Sequence, residues 1–168
     1  LLVSGLVLAT GIGALLTFSF LFFSQNIIEL ITQSAPILDI AIPYFEYRVM
    51  AIVAVGLCLC FRGYWNGINK PWVYLRVLIL MHTLNALISY GLIYGAFGLP
   101  EMGAAGAGLG TTLALALGAL IYSAITFRQI QPVGATLHLK SNLRSLLRLS
   151  VPNSIQQLLF ACSLLLLF

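Results

Sequence analysis

Residues 1–23 and residues 103–127 contain no charged side chain. A water-facing helix or strand of that length needs a polar face, and these stretches have none. A helix needs about 20 mainly apolar residues to cross the hydrocarbon core of a bilayer, and both segments meet that length. Residues 44–66 and 72–97 are further spans of the same kind. Residues 150–168 begin a fifth. Apolar residues make up 61% of the 168 and charged residues 7%, where a soluble domain carries about 25% charged. The expected fold class is therefore all-α: a polytopic membrane helix bundle of about five transmembrane helices. Backbone groups in lipid must pair within their own segment, which favours helices. A transmembrane strand would be short and would alternate polar with apolar, unlike these runs.

The chain opens on Leu1-Leu2-Val3 and closes on Leu164 to Phe168, in each case inside an apolar run. On this reading it is an internal piece of a longer protein. Residues 1–23 lack the basic leader and small-residue cleavage site of a signal peptide. Cys58, Cys60 and Cys162 give no disulfide framework and read as buried thiols.

The connections are residues 24–43, with Gln25-Asn26, Glu29, Pro36 and Pro43; residues 62–71, rich in Gly and Asn and ending in Pro; residues 98–102; and residues 128–149. The last is the long loop, and its end, from Ser141, reads as a basic juxtamembrane helix. Arg62, Lys70, Arg76, Arg128, Lys140, Arg144 and Arg148 all fall on or beside loops 62–71 and 128–149. The positive-inside rule places those two loops in the cytoplasm. Glu29, Asp39, Glu46 and Glu101 fall at or near the opposite side.

Polar residues inside the spans are the candidates for function, because lipid penalises them. His82, Asn85 and Ser89 lie at i, i+3 and i+7, roughly on one helix face, with His82 near mid-membrane. Thr111 and Thr112 on the next span are placed to face them. Tyr44 and Arg48 lie at the outer end of the second span, where Arg48 either snorkels to the interface or lines a cavity. Gln156 and Gln157 follow Pro152 in the last span, and at least one is expected to face the bundle. Gly5, Ala9, Gly13 and Thr17, and separately Gly106, Gly110, Ala114 and Gly118, form small-residue stripes for close helix packing. No cluster of His, Cys, Asp and Glu has metal-ligand spacing, and the glycines of 103–110 follow no strand, so a nucleotide loop is excluded. No catalytic constellation, cofactor or nucleic-acid partner is expected.

These segments, in order, resemble the multidrug and toxic compound extrusion (MATE) transporters. The resemblance rests on Tyr44-Phe45-Glu46-Tyr47-Arg48, on Arg62 to Gly67 followed by Lys70-Pro71, and on Asn85 to Gly95. It continues through Leu99-Pro100, Gly103, Gly106 and Thr111 to Leu147–Gln157 with Pro152. It implies a twelve-helix, two-lobe transporter, monomeric when full length, in a bacterial inner membrane. Residues 1–127 would be four helices of the N-terminal lobe, 128–149 the cytoplasmic inter-lobe loop and hinge, and 150–168 the first helix of the second lobe. Such proteins export cationic, amphipathic small molecules in exchange for sodium ions or protons, by alternating access. In some members an asparagine and an aspartate on helix five and a threonine on helix six help bind the coupling ion. Asn85 and Thr111 match two of these, and Ser89 stands where the aspartate would be. Other members carry a glutamate on helix seven, where Leu159 or Phe160 stands here. The resemblance thus leaves sodium ion and proton both open. A flippase for lipid-linked oligosaccharides, from the same wider superfamily, is the alternative. Such a cavity needs several basic residues for pyrophosphate, and within the spans the notable one is Arg48. An intramembrane enzyme or a non-transporting scaffold would need a catalytic constellation that these residues lack.

Overall fold

The computed structural model describes residues 2–129. They form six helices and one 3-10 turn: α1 Leu2–Phe22, α2 Ser24–Ile31, α3 Ala35–Met50, α4 Ile52–Gly67, α5 Pro71–Tyr94, the turn Ala96–Gly98, and α6 Gly103–Gln129. Four stretches are long and apolar enough to cross a membrane: α1, α3 with α4 as one run of 33 residues, α5, and α6. The chain is thus a polytopic helical membrane bundle.

Two helix boundaries differ from the sequence reading. The second span begins at Ala35, not at Tyr44, and continues through Pro43. Proline costs that helix one backbone hydrogen bond, a loss that membrane helices tolerate when neighbours cover the freed carbonyl. The joint between α3 and α4 is at Ala51, whose N–H turns back to the carbonyl of Arg48, a tightened turn three residues long. The connection expected across 24–43 also contains a helix of its own, α2.

The two tight connections have local causes. After α4, Asn69 takes a left-handed conformation (φ 57°), and the Lys70 N–H reaches the Trp65 carbonyl at 2.9 Å. This closes the helix as a Schellman-type stop, with asparagine tolerating the position usually given to glycine. Pro71 then starts α5, where its missing N–H costs nothing. After α5, Gly95 (φ 67°) ends the helix, and the Met102 N–H donates to the Leu92 carbonyl at 2.8 Å to close the hairpin into α6.

In lipid the hydrophobic effect does not distinguish a helix from an acyl chain, so close packing and hydrogen bonds must hold the bundle together. Both small-residue stripes are seams of this kind. On α1, a Cβ at Gly13 would stand 3.1 Å from Val53 Cα of α4, and one at Gly5 would stand 3.6 Å from Cys60 Sγ. Ala9 fills the space over Gly56, and the Thr17 hydroxyl donates to the Val49 carbonyl at 3.3 Å. On α6, Gly106 meets Leu92, Gly110 meets Ser89 and Gly118 meets Met81, an antiparallel register with α5. Helix α6 is central and packs on α3, α4 and α5. Helix α1 packs on α2, α3 and α4 but touches neither α5 nor α6.

At the end of the bundle carrying Arg62 and Lys70, α4, α5 and α6 are joined by aromatic rings. Tyr122 is fully buried, stacked between Phe61 (5.8 Å) and Tyr74 (6.0 Å), and its hydroxyl donates to the Tyr74 carbonyl at 2.7 Å. The Arg62 guanidinium lies 5.5 Å from the centre of the Tyr74 ring. Cys58 and Cys60 are free thiols packed in the bundle.

Candidate functional site

Three consecutive residues of α6 define the candidate site. Gly110 faces α5: a Cβ there would stand 2.8 Å from Ser89 Cα and 2.9 Å from its nitrogen. Thr112 faces α3, donating its hydroxyl to the Tyr47 carbonyl while remaining within 3.0 Å of the Gly108 carbonyl of its own helix. Successive residues on a helix turn by about 100°. Thr111 therefore lies midway between the α5 side and the α3 side, on the wedge those helices enclose. Helices α3 and α5 do not meet among the described residues, and α4 meets the same flank of α6 one turn beyond Thr111, where Cys58 Sγ lies 3.9 Å from the Leu115 carbonyl. The opposite flank of α6 presents exposed Leu113.

The same wedge receives the polar flank of α5. Met81, Ser89 and Leu92 meet the glycines of α6, and His82, Asn85 and Ser89 fall within an arc of about 60° on α5. Because α5 runs antiparallel to α6, this flank turns to the same side as Thr111. The Gly110–Ser89 contact sets Thr111 at the level of the Asn85–Ser89 pair.

The hydrogen bonds show how each side chain is held. The Ser89 hydroxyl donates to Asn85 Oδ1 at 2.9 Å, and both residues are half-buried. This bond lies within α5 and not between helices. The Thr111 hydroxyl donates to the Ala107 carbonyl of its own helix at 2.9 Å. That leaves its oxygen lone pairs, one side of Asn85 Oδ1 and the Asn85 amide N–H groups for a ligand. Thr112, expected beside Thr111 at the cluster, is a helix-to-helix tie instead. His82 is exposed and has no hydrogen-bond partner among the described residues.

Nearer the start of α6 the wedge continues into an open apolar groove of about 300 Å³, lined by Ile37, Ile40, Ala41, Tyr44 and Ala104. Ala104 is seven residues before Thr111, two turns away on the same flank. Tyr44 thus lines the groove, and Arg48, exposed, follows it by one turn of α3. Glu46 points the other way, accepting a hydrogen bond from the Ser24 hydroxyl of α2 at 2.9 Å. Nothing in the sequence marks this pair, because a serine opening α2 and a carboxylate 22 residues on have no fixed spacing in known motifs. At its other end the wedge is closed by the Phe61–Tyr122–Tyr74 stack. No group of three or more His, Cys, Asp and Glu side chains is placed to hold a metal ion among the described residues. Gln156 and Gln157, the 130–149 loop and the last span lie outside the described residues.

This fold, with polar side chains collected in one wedge of an otherwise apolar helix bundle, defines an integral membrane protein. The MatE family model matches residues 1–91, more than half of the chain, and the chain belongs to that family. Among curated relatives, the "Probable multidrug resistance protein NorM" of Streptococcus pneumoniae is 38% identical over 109 residues, covering 64% of this chain and 24% of that protein. Its namesake in Rhodopseudomonas palustris is 27% identical over 138 residues, covering 79% of this chain and 29% of its own length. That of Bradyrhizobium diazoefficiens is 44% identical over 55 residues, 33% of this chain and 12% of that protein. The chain spans about a quarter of the length of the first of these relatives. No solved structure matches it.

Proposed function

We propose that this chain forms one wall of the transport cavity of a multidrug exporter in a bacterial inner membrane. The exporter moves cationic, amphipathic small molecules outward against an inward flow of sodium ions or protons. Membership of the MatE family and the names of its relatives support this class over an enzyme. The observation that carries the reading is the wedge itself. Thr111 of α6 lies at the level of the Asn85–Ser89 pair of α5 and on the same side of the seam between the two helices, with Tyr44 and an apolar groove nearer the start of α6. A polar patch inside an apolar groove suits a ligand that is part cation and part hydrocarbon. The positive-inside rule favours a cytoplasmic side for residues 62–71, and on that orientation the aromatic stack closes the wedge on the inner side and the Tyr44 groove opens outward.

Alternating access is the expected mechanism. Helices α1 and α3 to α6, tied by the glycine seams and the aromatic stack, move as one body against the rest of the transporter. Ion and drug favour different states of that motion. The test is ethidium transport by the full-length protein in proteoliposomes under an imposed pH or sodium gradient. Transport under one of the two gradients is expected, reduced about tenfold or more by Asn85→Ala. Absence of ethidium transport under both gradients would overturn the reading.

A further inference from the structure

Arg48 is the one charged side chain on the groove face of α3. Ile37, Ala41 and Tyr44 line the apolar groove, and Arg48 continues their stripe at i, i+4, i+7 and i+11, all within an arc of about 60°. Side chains on a helix lean toward its N-terminus, so Arg48 leans toward Tyr44 and the groove. Both residues are exposed. Snorkelling toward the outer end would draw the guanidinium along the same stripe and keep it in the groove. The depth is fixed by α6. The Thr112 hydroxyl donates to the Tyr47 carbonyl, so Arg48 stands level with Thr112, about 14 Å of helix beyond Gly103 at the start of α6. A charge at that depth is costly in lipid unless it meets a partner, water or a ligand.

The described residues place no carboxylate beside it. Asp39 and Glu46 fall on the opposite face of α3, where Glu46 accepts the hydrogen bond from Ser24. Glu29 lies on α2, which that bond seats against the same opposite face. Glu101 lies in the hairpin before α6 begins, more than about 14 Å of helix from the level of Arg48. Helices α1, α4, α5 and α6 contain no carboxylate. The groove therefore has apolar walls and, at its inner end, a single positive charge. A guanidinium offers paired N–H donors that match the two oxygens of a carboxylate. A ligand that is only a cation meets like charge there, in surroundings of low dielectric.

We propose that Arg48 is a specificity-determining residue of this exporter: it takes an acid group carried by the substrate while the substrate's hydrocarbon fills the groove. This deepens the exporter reading and rests on it. The favoured cargo bears a carboxylate beside its cation, and the carboxylate cancels the repulsion that Arg48 would otherwise exert. The cation itself falls to the neutral oxygens of Asn85 and Thr111, at the same level of the bundle. A cation with no acid group is still carried, but less well than a counterpart that has one.

The test compares two probes that share one ring system: tetramethylrhodamine, a xanthylium cation with a free benzoate, and its methyl ester, in which the acid is masked and only the cation remains. Full-length protein is used, in detergent for binding and in proteoliposomes for transport. Wild type is expected to bind the free acid about tenfold more tightly than the ester, and to transport it faster. Arg48→Gln is expected to weaken binding of the acid about tenfold and to strengthen binding of the ester a few-fold, which reverses the preference. Arg48→Lys keeps the charge but not the fork, and is expected to retain a smaller preference for the acid. Wild type that binds the ester as tightly as the acid overturns the proposal, whatever the variants do. So does Arg48→Gln that changes both affinities by the same factor, the result expected of an arginine that only supports the fold or pairs with an acid elsewhere in the protein. In either outcome, ethidium transport by wild type leaves the exporter reading standing. Wild type that moves neither rhodamine nor ethidium overturns both.

Discussion

At the scale of single residues, Asn85 and Ser89 do different jobs although they share a hydrogen bond. Ser89 gives its proton to Asn85 Oδ1 and lies against the backbone of Gly110, so it orients the amide and fills the seam. Asn85 keeps a free carbonyl lone pair and two amide protons toward the wedge. A serine hydroxyl can offer one neutral oxygen to a cation but cannot hold a formal charge at these pH values. Ser89→Ala is therefore expected to lower ethidium transport by full-length protein only a few-fold, and Asn85→Ala by about tenfold or more. Equal losses in a side-by-side flux measurement would show that Ser89 binds the ion or substrate directly. The types and spacing of these residues were legible in the sequence, as was their common flank, because helical periodicity fixes angular position. Their bonding was not. A hydroxyl in a helix can turn to its own backbone, to an i−4 side chain or to a neighbouring helix, and only packing decides which. Thr111 and Thr112 illustrate this: adjacent in sequence, one bonds within α6 and the other also reaches α3.

At the scale of elements, the small-residue stripes are what let the helices meet. The register of α6 on α5 leaves no room at Gly106, where a Cβ would run into the Leu92 carbonyl group, or at Gly110, where it would meet the Ser89 backbone. Backbone cannot rotate away as a side chain can, so Gly106→Val must part the helices. A cost of about 1–3 kcal/mol is expected, read as a lower unfolding temperature of the full-length protein in detergent. Gly11 serves as the control: an added Cβ would meet nothing within 4 Å, and Gly11→Ala is expected to leave that temperature unchanged. Thr112→Val keeps the shape but removes the tie to the Tyr47 carbonyl, a loss of about 0.5–1.5 kcal/mol by the same measurement. The stripes could be read from the sequence as seams, though not which helix each would meet, since pairing is a property of the fold. The displaced start of the second span has a similar origin. Prolines at 36 and 43 look like a loop to any rule drawn from soluble helices, yet Pro36 sits in the first turn of α3 and Pro43 lies inside it. Helix α2 is hard to see in the sequence because an eight-residue amphipathic segment between spans resembles a polar connection with scattered apolar residues.

At the scale of the molecule, α6 organises everything described. One flank meets α5, another meets α3 and α4, and the space between those flanks is the wedge, while Leu113 looks outward on the other side. If the wedge is a water-filled cavity and the Leu113 flank faces lipid, two neighbouring positions on one helix must differ sharply in access to solvent. The most direct measurement places a cysteine at each in turn, in full-length protein with Cys58, Cys60 and Cys162 replaced by alanine, and follows labelling by a charged, membrane-impermeant thiol reagent. Thr111→Cys is expected to label rapidly and to be protected by ethidium, and Leu113→Cys to remain unlabelled. Rapid labelling at 113 with none at 111, or labelling at 111 that ethidium leaves untouched, would contradict the placement of the transport cavity in this wedge.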